Sequence, residues 1–156
     1  MWDKVQKVVA LERQKLHQLL SSYRSLLEKC VDTPPNDLEL TALAAVLHSF
    51  YNGIENIFKR IAQDVDGQLP RGEFWHRQLL DLMKVAGPAR PAVISESLAT
   101  RLDDYLTFRH LFRRAYTFSL RWDGMKDLVL ECEQTLKLLE DGLDRFFATG
   151  PETTRP

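Results

Sequence analysis

Apolar residues recur every three or four positions along nearly the whole chain, and that period admits a helix and little else. Val5, Val9, Leu16, Leu19, Tyr23, Leu26 and Cys30 form one such stripe. Thr33-Pro34-Pro35 stops it, because proline lacks an amide donor and restricts the residue before it. Asn36 then stands as an N-cap with Glu39 three residues on, the spacing of a capping box. The stripe of the second helix is Leu43, Leu47, Phe50, Tyr51, Ile54, Ile57, Phe58, Ile61 and Val65, closed by Asp66-Gly67. A shorter third helix follows Gly72, with Trp75, Leu79, Leu82 and Met83 on one side. Gly87-Pro88-Ala89-Arg90-Pro91 reads as a linker. Ser95 caps a fourth helix, striped by Leu98, Leu102, Tyr105, Phe108, Phe112 and Tyr116. Asp123 caps a fifth, striped by Met125, Leu128, Cys132, Leu136, Leu139, Leu143 and Phe146. No alternating pattern of strand type appears. The expected fold is all-α, an up-and-down bundle of about five helices with short connections. It makes one domain over residues 1–149, followed by a frayed tail over 150–156.

The totals narrow the possible functions. At 156 residues the chain can bury one sizeable core. Its formal net charge is -1, so affinity for nucleic acid must come from a local basic patch. Cys30 and Cys132 fall on apolar stripes and read as buried thiols in a reducing compartment, the cytoplasm. The N-terminus MWDKVQKVV lacks the continuous apolar run of a signal peptide, and nothing in the chain is apolar for long enough to span a membrane.

One segment has a chemical accent. Residues 105–122 hold no acidic side chain, and Arg109, His110, Arg113, Arg114 and Arg121 alternate there with Tyr105, Phe108, Phe112, Tyr116, Phe118 and Trp122. Guanidinium groups neutralise phosphates and aromatic faces stack on unpaired bases, so Arg113, Tyr116 and Arg121 are candidate RNA contacts. On a continuous helix Arg109, Arg113 and Tyr116 share a face, with His110 and Arg114 about 100° away. That arrangement can hold a phosphate between arginines beside a titratable imidazole. A core helix whose arginines are solvated or paired elsewhere accounts for the same composition. Among the other histidines, His17 reads as solvent-facing and His48 as partly buried and hydrogen-bonded. Glu73-Phe74-Trp75-His76 has the Glu-x-x-His spacing of di-iron bundles, but such sites need two copies. No metal or cofactor is expected, and His76 reads as a supporting or surface residue.

The run Arg109-His110-Leu111-Phe112-Arg113-Arg114-Ala115-Tyr116 resembles the HEPN signature of HepT-type toxins: an arginine, a polar residue, a short spacer, a histidine, one residue, then a tyrosine. Leu47 to Phe58 resembles that family's second helix, Trp75-His76 with Leu79, Leu80 and Met83 its third, and Pro91 to Ser95 the approach to the motif helix. The resemblance runs from about residue 5 to 147. It implies a homodimer whose facing motifs form a metal-independent endoribonuclease site. It also implies a toxin–antitoxin setting, with RNA as target and a minimal nucleotidyltransferase antitoxin (MntA-like) as partner, which modifies the tyrosine. Carried over, Arg109 takes the phosphate-polarising role, Tyr116 is the modified residue, and His110 occupies the polar position. The family's histidine position falls on Arg114, which cannot act as a general base because it stays protonated. Catalysis therefore falls to Arg109, His110 and Arg114 in some altered division of labour, with weak or undetectable cleavage expected. The alternative is a non-catalytic HEPN module that binds RNA or the nucleotidyltransferase.

Overall fold

A computed structural model describes residues 2–149, which form an all-α bundle. Its helices are α1 (Trp2–Ser22), α2 (Arg24–Asp32), α3 (Asp37–Ile61), α4 (Trp75–Met83), α5 (Glu96–Phe112), α6 (Trp122–Leu130) and α7 (Cys132–Thr149). Among the described residues the only sheet-like pairing is an isolated bridge between Gly87 and Arg90. The tail expected to fray, 150–156, lies outside the described residues. Helix α3 is the hub: α1, α4, α5 and α6 all pack on it. Its Leu43, Phe50, Ile54, Ile57, Phe58 and Ile61 are completely buried.

Seven helices stand where about five were expected, because the first and the last long stripes are each broken once. The first breaks at Tyr23 (φ -112°, ψ 14°). At the residue before it, the Ser22 hydroxyl donates to the Gln18 carbonyl at 2.8 Å, a back-bond that bends helices. The break rotates the buried stripe by one residue: Leu20 and Leu27 are buried, while Tyr23 is exposed. The last stripe breaks at Glu131, between α6 and α7. Here the Tyr105 hydroxyl donates to Leu128 O at 2.7 Å, the carbonyl that a continuous helix would give to the amide of Cys132. Thr135 adds a back-bond to Glu131 O at 2.8 Å.

The helix starts follow their sequence signals with one exception. Asn36 forms a complete capping box with Glu39, and the Ser95 side chain accepts from the Leu98 amide. Asp123 does not cap: α6 begins a residue before it, at Trp122, after Arg121 in the N-cap position. Asp123 sits in the first turn instead, where its charge favours the helix dipole. Gly67 ends α3 in the left-handed conformation (φ 76°), after a π turn over Ala62–Asp66. Both cysteines are buried free thiols, and burial pushes the Cys132 thiol up to about 12.

The linker from Gly87 to Pro91 is fastened. Arg90 is buried and directs all five of its donors inward. Nε and Nη2 reach the Asp66 carboxylate at 2.6 and 2.9 Å. The remaining bonds go to the carbonyls of Leu82, Val85 and Pro91. This clamp joins the end of α3 to the connection between α4 and α5, the two helices that flank the candidate site.

Candidate functional site

Helix α5 ends at Phe112, one turn sooner than its apolar stripe implies. Arg113 is its C-cap, and Ala115 closes a last turn on Leu111 O at 3.0 Å. Tyr116 to Ser119 then form a 3-10 turn that leads to α6. Arg109, Arg113 and Tyr116 therefore do not share one helical face. No proline or glycine marks this stop. The chain turns there because Trp122 and Met125 return to pack on the core.

Arg109 points into the protein and is 4% exposed. Its Nη1 donates to Asn52 Oδ1 at 2.7 Å and to Glu55 Oε1 at 3.0 Å, both on α3. Its guanidinium also lies over the Tyr51 ring, 5.4 Å from the centroid. Glu55 is itself 4% exposed on an apolar stripe, so its carboxylate needs a partner of this kind. The third member of the cluster is His76, from the first turn of α4. Its Nδ1 is 2.7 Å from Glu55 Oε2 and 2.8 Å from Arg109 Nη2. These contacts exclude one another: a protonated Nδ1 donates to Glu55, and a bare Nδ1 accepts from Arg109. Both are charge-assisted, one through the carboxylate and the other through the guanidinium, so the two distances alone assign neither tautomer. The Trp75 ring lies against the His76 ring, centroids 3.7 Å apart and tilted by 31°, and the Lys59 ammonium lies 4.7 Å from the Trp75 centroid.

A cleft of about 520 Å³ opens above this cluster, between the start of α4 and the end of α5. His76, Arg77, His110, Arg113 and Arg114 line it, with Glu73 the acid at its rim. The cleft thus brings together three residues singled out in the sequence, His110, Arg113 and Arg114, all exposed. Arg109 lies beneath, behind His76. Tyr116 and Arg121 are exposed but do not line the cleft; Tyr116 is 72% exposed and stacks on Phe118, centroids 5.2 Å apart. Arg77 pairs with Asp103 across the α4–α5 junction.

Sequence reasoning missed Asn52 and Glu55 as partners of Arg109, and underrated His76. The signal was present as polar residues inside the apolar run from Phe50 to Phe58. His17 is solvent-facing as expected and pairs with Glu140 at 2.7 Å. His48 is half-buried against Phe112, but its buried Nδ1 has no hydrogen-bond partner among the described residues. Burial first, then Arg109 and Arg113, holds its pKa below the usual value.

The chain is an all-α bundle with an arginine-rich helix end over a buried Arg–Glu–His cluster, an arrangement in keeping with the HEPN superfamily. The profile of the family described as HepT-like protein matches residues 42–149, and the chain belongs to that family. No curated protein and no solved structure matches the chain. Among the described residues no helix is long and apolar enough to cross a membrane.

Proposed function

We propose that the protein is the toxin component of a toxin–antitoxin pair, an endoribonuclease that binds single-stranded RNA in the cleft between α4 and α5. The observation that carries this reading is the convergence of His110, Arg113, Arg114, Arg77 and His76 on one cleft of about 520 Å³. Arginines there would neutralise the RNA backbone, and imidazoles would move protons without a metal ion. Family membership supports the toxin role. The exposure of Tyr116 supports its modification by a minimal nucleotidyltransferase, since the phenol is open to an approaching active site. A homodimer completes the reading.

A second reading has an observation of its own. The Arg109 guanidinium is held by Asn52, Glu55 and His76, which favours a structural arginine and a non-catalytic, RNA-binding module. One experiment separates the possibilities. The affinity of the full chain for a labelled single-stranded RNA is measured against salt, and turnover of the same RNA is followed in the presence of a chelator. Binding should weaken steeply with salt, and Arg113→Ala and Arg114→Ala should each weaken it across sequences and flatten the salt slope by about one. Salt-insensitive binding, or none, overturns both readings. Binding without turnover selects the second.

A further inference from the structure

We infer that His76, held by Glu55, takes the proton from the attacking 2′-hydroxyl of an RNA strand bound in this cleft. The inference rests on the ribonuclease reading above and supplies the base that the motif helix lacks, since Arg114 stays protonated.

His76 belongs to α4, not to the motif helix, yet it lines the same cleft as His110, Arg113 and Arg114. Its Nδ1 faces the buried Glu55 carboxylate at 2.7 Å. In the tautomer that donates Nδ1–H to Glu55, the bare nitrogen is Nε2. A carboxylate that fixes one imidazole nitrogen makes the other a ready proton acceptor and steadies the imidazolium that forms. Burial of Glu55 removes competing water, and the Trp75 ring packed against His76 restricts its rotation. The charged and titratable groups around His76 are Glu55 from α3, Arg109 and His110 from α5, Arg113 and Arg114 at its end, and Arg77 and Glu73 at the cleft rim, with the Lys59 ammonium over the neighbouring Trp75 ring. Arg109 opposes an imidazolium at 2.8 Å; Glu55, bonded to both groups, offsets that cost.

The step balances. The 2′-oxygen gives its proton to Nε2 of His76 and forms a bond to phosphorus. The bond from phosphorus to the 5′-oxygen breaks, and that oxygen takes a proton from the His110 imidazolium. A 2′,3′-cyclic phosphate and a 5′-hydroxyl leave, with His76 protonated and His110 neutral. Solvent restores both. Arg113 and Arg114 hold the charge that builds on the phosphoryl oxygens.

The test follows cleavage of a labelled single-stranded RNA, with binding measured beside it, by the parent chain, His76→Gln and His76→Ala. The parent should show a bell-shaped pH–rate profile, the form given by one base and one acid acting together. His76→Gln should lose the acidic limb and about a hundred- to ten-thousand-fold in rate, with RNA affinity kept. Added imidazole should restore part of the rate of His76→Ala. A parental rate and profile in His76→Gln, or a loss that imidazole leaves untouched in a folded His76→Ala, overturns the role of His76 and leaves the RNA reading standing. A parent that binds RNA without cleaving it overturns the proton transfer and selects the non-catalytic module. A parent that binds no RNA overturns both the inference and the function on which it rests.

Discussion

His48 has one ring nitrogen buried without a hydrogen-bond partner among the described residues, and a proton placed on that ring meets Arg109 and Arg113 beside the Phe112 ring. Its folded pKa lies below 6.5, the ordinary value, so the unfolded chain binds the proton more readily. Stability then rises with pH through the window between the folded value and 6.5; the penalty is full below that window and gone above it. Melting temperature should therefore climb as pH is raised toward neutrality, and His48→Gln should flatten the part of the climb that ends near 6.5. Parallel melting curves for the two proteins across that range would remove His48 as the cause. This residue shows how far the sequence could be read. Position 48, beside an apolar stripe, predicts partial burial, and that is what the helix delivers. The contact with Phe112, which lies on another helix, is beyond the reach of that local pattern. The same limit hid the central cluster. Arg109 finds Asn52 and Glu55 at separations of 57 and 54 residues, and His76 at 33, and no local window spans such distances.

At the scale of elements, the 3.6-residue period located the helical segments but merged α1 with α2 and α6 with α7, and Asn36, Gly67 and Ser95 marked segment ends as local chemistry requires. Where the reading failed, the cause came from outside the local segment or from its side chains. Tyr105 enters the backbone ladder at Leu128 and splits one predicted helix in two. The early stop of α5 at Phe112 carries no breaker residue, and it is the stop that turns Arg113 and Arg114 into the cleft and sets Tyr116 apart. Packing between elements leaves its own mark at Gly53. A Cβ there would sit 2.6 Å from Leu16 Cδ2 and 3.1 Å from its Cγ. Leu16 is 2% exposed and has little room to swing away. Alanine gains about 1 kcal/mol in helix propensity, whereas overpacking costs about 1–3 kcal/mol. Gly53→Ala should therefore destabilise the protein in chemical denaturation, and should cost less when introduced into a Leu16→Ala background than into the parent. A more stable Gly53→Ala would mean that α1 and α3 separate at little cost.

Whole-molecule behaviour turns on which apolar surface stays uncovered. Phe108 is buried and Phe112 half-buried, so they offer little to a second copy of the chain. The exposed apolar residues near the motif are Leu111, Tyr116 and Phe118, at 62%, 72% and 84%, displaced onto the end of α5 and the turn beyond it. A symmetric dimer, if built on this region, should close through that turn rather than through the length of α5. Light scattering at tens of micromolar should report a dimer for the parent and a monomer for Phe118→Ser; a monomeric parent removes the paired site from the proposed function. The Arg90 clamp bears on the same question from the opposite side. A stretch with the composition Gly-Pro-Ala-Arg-Pro looks like the natural place to insert a tag, open a new terminus or cut the chain in two. Yet its arginine secures Asp66 and three carbonyls at once, and so keeps α4 registered against the end of α3. Any graft there would loosen the wall that carries His76, so an engineer wanting a permissive joint in this protein should look elsewhere along the chain.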